Sequence, residues 1–329
     1  MNFFLKIFKF LPPEFAHSTS LNSLNLLYKL NLLNIFNKKI INKDGLTLFG
    51  MKFRNKLGTA AGLDKNGDYI DALGALGFGF LEVGTVTPRP QLGNPKPRVF
   101  RNFHENSIIN RLGFNNKGID YMVNNLKKRK YDGVVGVNIG ANKSSEGIER
   151  INDYLLCIEK IHKLADYITI NISSPNTPDL RDLHLKENLQ NLITSVEKKI
   201  DEVKFTKPVF LKISPDETDE SIEMIVDLVN NSSFTGLIAT NTTIEKDNLS
   251  NKKLKKEAGG VSGQPLMEKS TNKILLIRSK CPDIPLIGVG GVISKDDYIS
   301  KINAGADLVQ IYTGFIIKGP DLINQILRD

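Results

Sequence analysis

The sequence predicts an α/β protein, a (β/α)8 TIM barrel with a helical extension at its N-terminus. Three observations carry that expectation. Short apolar runs alternate eight times with longer amphipathic ones. The short runs are apolar almost throughout, as suits strands of a parallel sheet covered on both faces. Each then ends in a polar or glycine-rich cluster of the kind found at the C-terminal mouth of a barrel.

In chain order the expected strands are Leu57–Ala61, Phe80–Val86, Val134–Ile139, Tyr167–Ile172, Val209–Ile213, Leu237–Thr240, Leu286–Val289 and Leu308–Tyr312. Helical segments follow them near 67–76, 117–128, 152–164, 187–202, 219–230, 270–280, 296–303 and 321–328. Helix-length segments between strands supply the crossovers that parallel pairing requires. An open doubly wound sheet is the alternative, but no GxGxxG follows the first strand. The clusters after the strands are AAGLDK (60–65), GTVTPRP (84–90), NIGANK (138–143), NISSPNT (171–177), KISPD (212–216), NTT (241–243), GVGG (288–291) and YTGF (312–315). In a barrel all eight converge on one pocket. The segment 87–132 is long for a βα unit, and its NRLGFNNKG (110–118) is expected to fold over the pocket mouth.

Length alone would permit two domains, but barrels of about 250 residues fold as one. The expected division is an extension over 1–43 and a barrel over 44–329. Cys157 and Cys281 lie far apart in predicted helices, with no CxxC, which points to a reducing compartment. The histidines His17, His104, His162 and His184 show no metal-ligand spacing, so no metal is expected. The net charge of +8 suits nucleic acid, an anionic membrane or an anionic substrate. Half of that excess falls within the first 45 residues. No nucleic-acid-binding module is present, so nucleic acid is not an expected partner.

MNFFLKIFKFLPPEF sets Phe3, Phe4, Ile7, Phe8 and Leu11 at helical spacing, with Lys6 and Lys9 on another side, before Pro12 and Pro13 stop the helix. A second leucine-rich stretch runs from Leu21 to Phe36. Neither supplies the roughly 18 to 20 apolar residues of a spanning helix. A cleaved signal peptide fits poorly, because lysines interrupt the apolar run. Two short apolar-basic helices fit an interfacial hairpin in the headgroup region; a cap packed on the barrel or on another subunit is the alternative.

Gly288, Gly290 and Gly291 after the seventh strand and Gly314 after the eighth stand where barrels often bind phosphate, although tight turns alone would also explain them. Asn110, Asn171, Asn176 and Asn241 both donate and accept, matching the edge of a pyrimidine or flavin ring. Lys65 and Lys212 leave two chemistries open: a cation beside a flavin, or a Schiff-base aldolase with Lys212 as nucleophile. Ser173, Ser174 and Thr177 have no histidine within their motif, so a Ser-His-Asp hydrolase is unsupported.

AAGLDKNG, EVGTVTPRPQLGNPKPRVFR, INRLGFNNKG, VNIGANK, ITINISSPNTPDLR, ATNTT, GGVSGQPL, IGVGG and LVQIYTGFI together resemble the dihydroorotate dehydrogenase family from about residue 44 to the C-terminus. The N-terminal extension and PEFAH (13–17) resemble its class 2, quinone-dependent branch. Class 1 enzymes lack the extension and use Cys where this chain has Ser174.

The resemblance implies an FMN-dependent oxidoreductase of CH–CH donors that converts dihydroorotate to orotate in pyrimidine biosynthesis and passes electrons to a membrane quinone. One non-covalent FMN per chain is implied, in a monomer held peripherally at the cytoplasmic side of the cell membrane through residues 1–40. Ser174 would be the catalytic base. Substrate would meet Lys65, Asn110, Arg111, Leu112, Gly113, Phe114, Asn171, Asn176, Asn241 and Thr242. FMN would meet Ala61, Gly62, Leu63, Asp64, Lys65, Thr85, Asn138, Asn171, Lys212, Thr240, Gly263, Gly291, Tyr312 and Thr313. His17, Arg98 and Tyr312 are candidates for the polar end of a quinone tunnel. Ala141 and Thr313 depart from the commoner Lys and Ser without removing a required group. The competing expectations are a class 1-like oxidase, the aldolase, and a non-catalytic FMN-binding barrel.

Overall fold

The computed structural model describes residues 10–33, 45–174 and 185–328. Helix α1 (Pro13–Lys29) precedes a hairpin of β1 (Leu46–Leu48) and β2 (Met51–Phe53). Then follow β3 (Leu57–Thr59), α2 (Ile70–Gly74), β4 (Phe80–Val86), β5 (Val99–Asn102), β6 (Ser107–Asn110), α3 (Ile119–Lys128), β7 (Val134–Ile139), α4 (Gly147–Ile161) and β8 (Tyr167–Asn171). The second half holds α5 (Lys186–Glu202), β9 (Val209–Ile213), α6 (Asp219–Asn230), β10 (Gly236–Ala239), α7 (Lys252–Lys255) and β11 (Gly260–Gly263). It ends with α8 (Met267–Lys280), β12 (Leu286–Val289), α9 (Lys295–Asn303), β13 (Leu308–Ile311), α10 (Thr313–Lys318) and α11 (Pro320–Leu327).

The strands β3, β4, β7, β8, β9, β10, β12 and β13 close into an all-parallel barrel in that cyclic order. These are the eight expected strands, and the (β/α)8 architecture holds. Alternation along each strand sorts its side chains. Outward residues such as Leu81, Val83, Val135, Val137, Ile168 and Ile170 join the large core beneath the helices. Inward residues at the N-terminal end, among them Phe80, Tyr167, Phe210, Ile238 and Leu308, form a separate apolar layer. The β1–β2 hairpin plugs that end: Phe53 meets Phe80 edge-on and Phe49 meets Phe210, each with ring centroids 5.5 Å apart. Space inside is tight, since a Cβ on Gly136 would lie 2.0 Å from the Tyr167 ring.

Three expectations need correction. The helix expected from Leu21 instead starts at Pro13, because proline's fixed φ suits a first helical turn, and it ends at Lys29. The helix expected near 152–164 begins at Gly147, with Ile151, Tyr154 and Ile158 on its buried stripe. Cys281 lies just past the end of α8 rather than within it. The segment before Phe10 and the chain around Phe36 fall outside the described residues, as do Asn176, Thr177 and His184.

A small antiparallel sheet was not foreseen. β6 pairs with β5 on one side and with β11 on the other, joining the segment after the second barrel strand to the segment after the sixth. Partners as distant in sequence as β6 and β11 leave no local signal.

Helix α1 packs on the barrel flank. Leu21 is buried in the main core, Asn22 Oδ1 accepts from the Tyr69 hydroxyl (2.8 Å), and Glu14 pairs with Arg98 (2.8 Å). Among the described residues no helix is long and apolar enough to cross a membrane.

Candidate active site

Above the apolar layer the inward positions turn polar. Glu82 on β4 is fully buried. Its Oε1 accepts from Asn138 Nδ2 (2.8 Å), and its Oε2 accepts from the Tyr167 hydroxyl (2.9 Å), Thr169 Oγ1 (3.1 Å) and Gln310 Nε2 (2.8 Å). Four donors from three neighbouring strands, β7, β8 and β13, therefore satisfy one carboxylate. Thr85 Oγ1 donates to Asn138 Oδ1 (2.6 Å), while Asn171 Nδ2 donates to Thr85 Oγ1 (3.0 Å) and Asn138 Oδ1 (3.2 Å). Ser173 Oγ donates to Asn171 Oδ1 (2.9 Å) and accepts from Asn241 Nδ2 (2.9 Å). The network is continuous from the barrel centre to the mouth.

On this floor rests a cavity enclosing about 1000 Å³, counting its open mouth. That matches the upper size of small-molecule sites. The loop after β3 contributes Ala61, Gly62 and Lys65, and β4 contributes Thr85. From the long segment come Asn110, Leu112, Gly113 and Phe114. Asn171, Ser174, Lys212, Thr240, Asn241 and Thr242 line the wall from β8 to β10, and Gly263, Gly290 and Gly291 continue it. Tyr312, Thr313 and Gly314 complete the ring after β13.

Four expected residues do not line it. Leu63 and Asp64 turn away beneath the loop, where Asp64 accepts from the Asp68 N–H (2.9 Å) and Tyr69 N–H (2.7 Å) and shapes the turn. Burial raises its pKa to about 6. The Arg111 side chain pairs with Glu257 (2.9 Å) and lies over the Phe100 ring. Asn138 sits one layer down and acts through Thr85 and Asn171. Gly288 is also not a loop residue: it lies within β12, where a Cβ would meet Ala306 at 2.9 Å.

Two lysines give the cavity its charge. Lys65 is half-buried, and its Nζ donates to the Gly62 carbonyl (2.9 Å). Burial lowers its pKa to about 8, against the opposing pull of Glu14. Lys212 projects from β9, buried and with no hydrogen-bond partner among the described residues. Burial lowers its pKa too, and Glu82 partly restores it.

Sequence reasoning missed Gln310 and Ser262, which also line the cavity. Gln310 Oε1 is a buried acceptor with no partner among the described residues, and Ser262 Oγ accepts from Thr313 Oγ1 (2.8 Å). A polar residue at an inward position of an apolar strand is the signal that could have found Gln310.

A second space, about 1900 Å³ counting its open side, lies between α1 and the barrel. His17, Leu21 and Arg101 line it, and Lys65, Leu112 and Tyr312 belong to both cavities. His17 Nε2 lies 3.0 Å from the Leu63 carbonyl. Burial, with Lys65 nearby, lowers its pKa to about 3, so the ring stays neutral. Burial also raises Tyr312 to about 12. Arg98, expected at the polar end of this space, is instead held by Glu14 and the Leu92 and Asn94 carbonyls. Arg101 lines the space in its stead.

Comparison with known proteins agrees with this architecture. The family model for dihydroorotate dehydrogenase matches residues 45–329. The dihydroorotate dehydrogenase (quinone) of Saccharophagus degradans is 47% identical over 318 residues, covering 95% of this chain and 94% of that protein. The protein of the same description from Buchnera aphidicola is 47% identical over 329 residues, covering 98% of each chain. The crystal structure of DHODH from Eimeria tenella in complex with ferulenol superposes with a TM-score of 0.88 at 33% identity, covering 96% of this chain and 89% of that one. Long, ordered similarity across both the barrel and its mouth leaves one conclusion: the chain is an oxidoreductase belonging to the dihydroorotate dehydrogenase family.

Proposed function

We propose that this chain oxidises dihydroorotate to orotate with FMN in the barrel cavity and delivers the electrons to a membrane quinone beneath α1, as a step of pyrimidine biosynthesis. The carrying observation is the shared wall: Lys65, Leu112 and Tyr312 face both the polar cavity and the space under the N-terminal helix. FMN, when bound, supplies the acceptor for the hydride leaving C6 of the substrate.

The residues fit that cofactor. Lys212 is a buried cation in need of an electron-rich neighbour, as the N1 and C2 carbonyl edge of a flavin would provide. The unpartnered Gln310 Oε1 offers an acceptor, and Gly290, Gly291 and Gly314 bring bare backbone to the cavity wall, where N–H groups would meet a phosphate. Lys65, Asn110, Asn171 and Asn241 would hold the pyrimidine and its carboxylate. Ser174 Oγ would take the proton from C5, with a relay needed because a hydroxyl is a poor base.

Residues 1–43 are proposed as a membrane-associating extension and 44–329 as the flavin barrel. Phe15, Leu26 and Leu30 on or beside α1 are exposed, which supports peripheral attachment at the cytoplasmic side of the cell membrane. Deleting residues 1–40 is expected to spare flavin reduction by dihydroorotate and abolish turnover with long-chain quinones. Survival of that turnover would reduce the extension to a cap.

The absorbance spectrum of the purified protein, taken anaerobically before and after dihydroorotate, tests the whole reading. It should show bound flavin that bleaches. A colourless protein, or a yellow one that stays yellow, would overturn it.

Lys65 adds a pH test. Its proton is lost as pH rises through about 8 in the folded protein, against 10.5 ordinarily, so an anion at this site loses its countercharge on the alkaline side. Orotate binding, followed by the flavin absorbance shift, should be about tenfold weaker at pH 9 than at pH 7. Lys65→Met should flatten that dependence. The same lowered pKa makes this residue's share of folding stability increase between those two pKa values, because the unfolded chain then binds more protons.

A further inference from the structure

Lys301 on α9 is wholly buried, yet the chemistry above makes no use of its charge. Its Nζ donates to Ser270 Oγ (2.5 Å), Thr271 Oγ1 (2.8 Å) and the Met267 carbonyl (3.3 Å), all at the start of α8. Among the described residues no carboxylate lies within ion-pair distance of it. Asp297, one turn earlier on the same helix, uses its Oδ2 on the Ile293 and Ser294 N–H groups and on Ser294 Oγ. A buried ammonium held only by neutral groups is costly, so an effect that offsets the cost is worth seeking. Burial lowers its pKa to about 7.

The hydrogen bonds lead toward the cavity. Ser270 Oγ lies 3.0 Å from the Gly290 carbonyl and 3.1 Å from the Met267 carbonyl, and its single proton serves one of them at a time. With Thr271 Oγ1 already donating to Met267 (2.7 Å), Gly290 is the acceptor in greater need. Gly290 and Gly291 share one trans peptide. The C=O and N–H of a trans peptide point in opposite directions. The Gly291 N–H therefore points away from Ser270, and it has no backbone acceptor among the described residues. Both glycines line the barrel cavity. Helix α8 presses on this loop, for a Cβ on Gly291 would lie 2.2 Å from Met267 Cα.

We propose that Lys301 is a positioning residue for the phosphate of the flavin: through Ser270 Oγ it holds the Gly290–Gly291 peptide with its N–H turned into the cavity and polarised toward an anion. The inference rests on reading this loop as the phosphate end of the FMN site. A charged donor strengthens the first hydrogen bond, and a chain of such bonds polarises the next. Lys301 thus acts on the anion without touching it.

The test compares FMN with riboflavin, which lacks the phosphate. Full-chain holoprotein is diluted and free-flavin fluorescence gives the FMN dissociation constant; displacement by riboflavin gives the second constant. Lys301→Met should weaken FMN about tenfold, equivalent to about 1.4 kcal/mol, and leave riboflavin within a factor of about two on the same scale. Ser270→Ala, which keeps the lysine and cuts the relay, should give the same selective loss and serves if Lys301→Met folds poorly. Equal weakening of both flavins, or no change for FMN, overturns the relay. A wild-type protein that binds neither flavin overturns the FMN reading itself, and the relay with it.

Discussion

A Ser174→Ala protein should keep its bound flavin and reduce it with dihydroorotate about 10²- to 10⁴-fold more slowly, the range over which a positioned proton acceptor acts. The expectation turns on two adjacent serines with different surroundings. Ser173 is fully buried and engaged with both Asn171 and Asn241, so its hydroxyl is committed to holding the amides. Ser174 lines the cavity. Replacing Ser173 with Ala should therefore weaken orotate binding through the loosened asparagines, whereas replacing Ser174 should slow the proton step. Rapid-mixing absorbance under anaerobic conditions reads the rate, and orotate titration reads the binding. A Ser174→Ala enzyme with wild-type flavin reduction would remove that residue from the chemistry.

Lys212→Met should lower the same reduction rate about 10²- to 10³-fold, as loss of one preorganised donor to developing charge does elsewhere. The side chain is buried on β9 and has no hydrogen-bond partner among the described residues, so a methionine of similar length fills its space without stranding a hydrogen bond there. The flavin midpoint potential should fall with the rate, because a reduced, anionic flavin beside Lys212 would lose that countercharge. Glu82 complicates the picture. It restores part of the lysine's lowered pKa, and removing the lysine leaves that carboxylate to its four neutral donors. The double variant Lys212→Met with Glu82→Gln separates the two effects: thermal stability should recover while the rate stays low. An unchanged potential in the single variant would show that Lys212 does not face the flavin.

Much of this site was legible because barrel topology does the gathering. Once eight strands were recognised, their C-terminal clusters had to converge, and the glycines, asparagines and lysines in them could be taken together. What stayed hidden was parity. Leu63, Asp64 and Arg111 sit among cavity residues in sequence, but backbone geometry turns their side chains elsewhere. Arg98 and Arg101 differ by only three positions, yet one locks α1 through Glu14 and the other faces the space beneath that helix. Glu82 and Gln310 were readable in principle, since a polar residue inside an apolar strand needs a buried partner. Each found the other across the barrel, separated by 228 positions in the chain. The β5–β6–β11 sheet offered no such clue, because its strands span four residues each.

That little sheet forms part of the cavity wall, through Asn110, Ser262 and Gly263. Through β6 and β11 it ties Asn110, proposed to meet the pyrimidine, to Gly260, and Ser107 to Gly263, proposed to meet the flavin. A ceiling built from ladder pairs does not flap: it lifts only when a cooperative set of hydrogen bonds breaks, an event far rarer than the motion of a free loop. A cofactor lodged beneath it would be installed once and kept through many catalytic cycles.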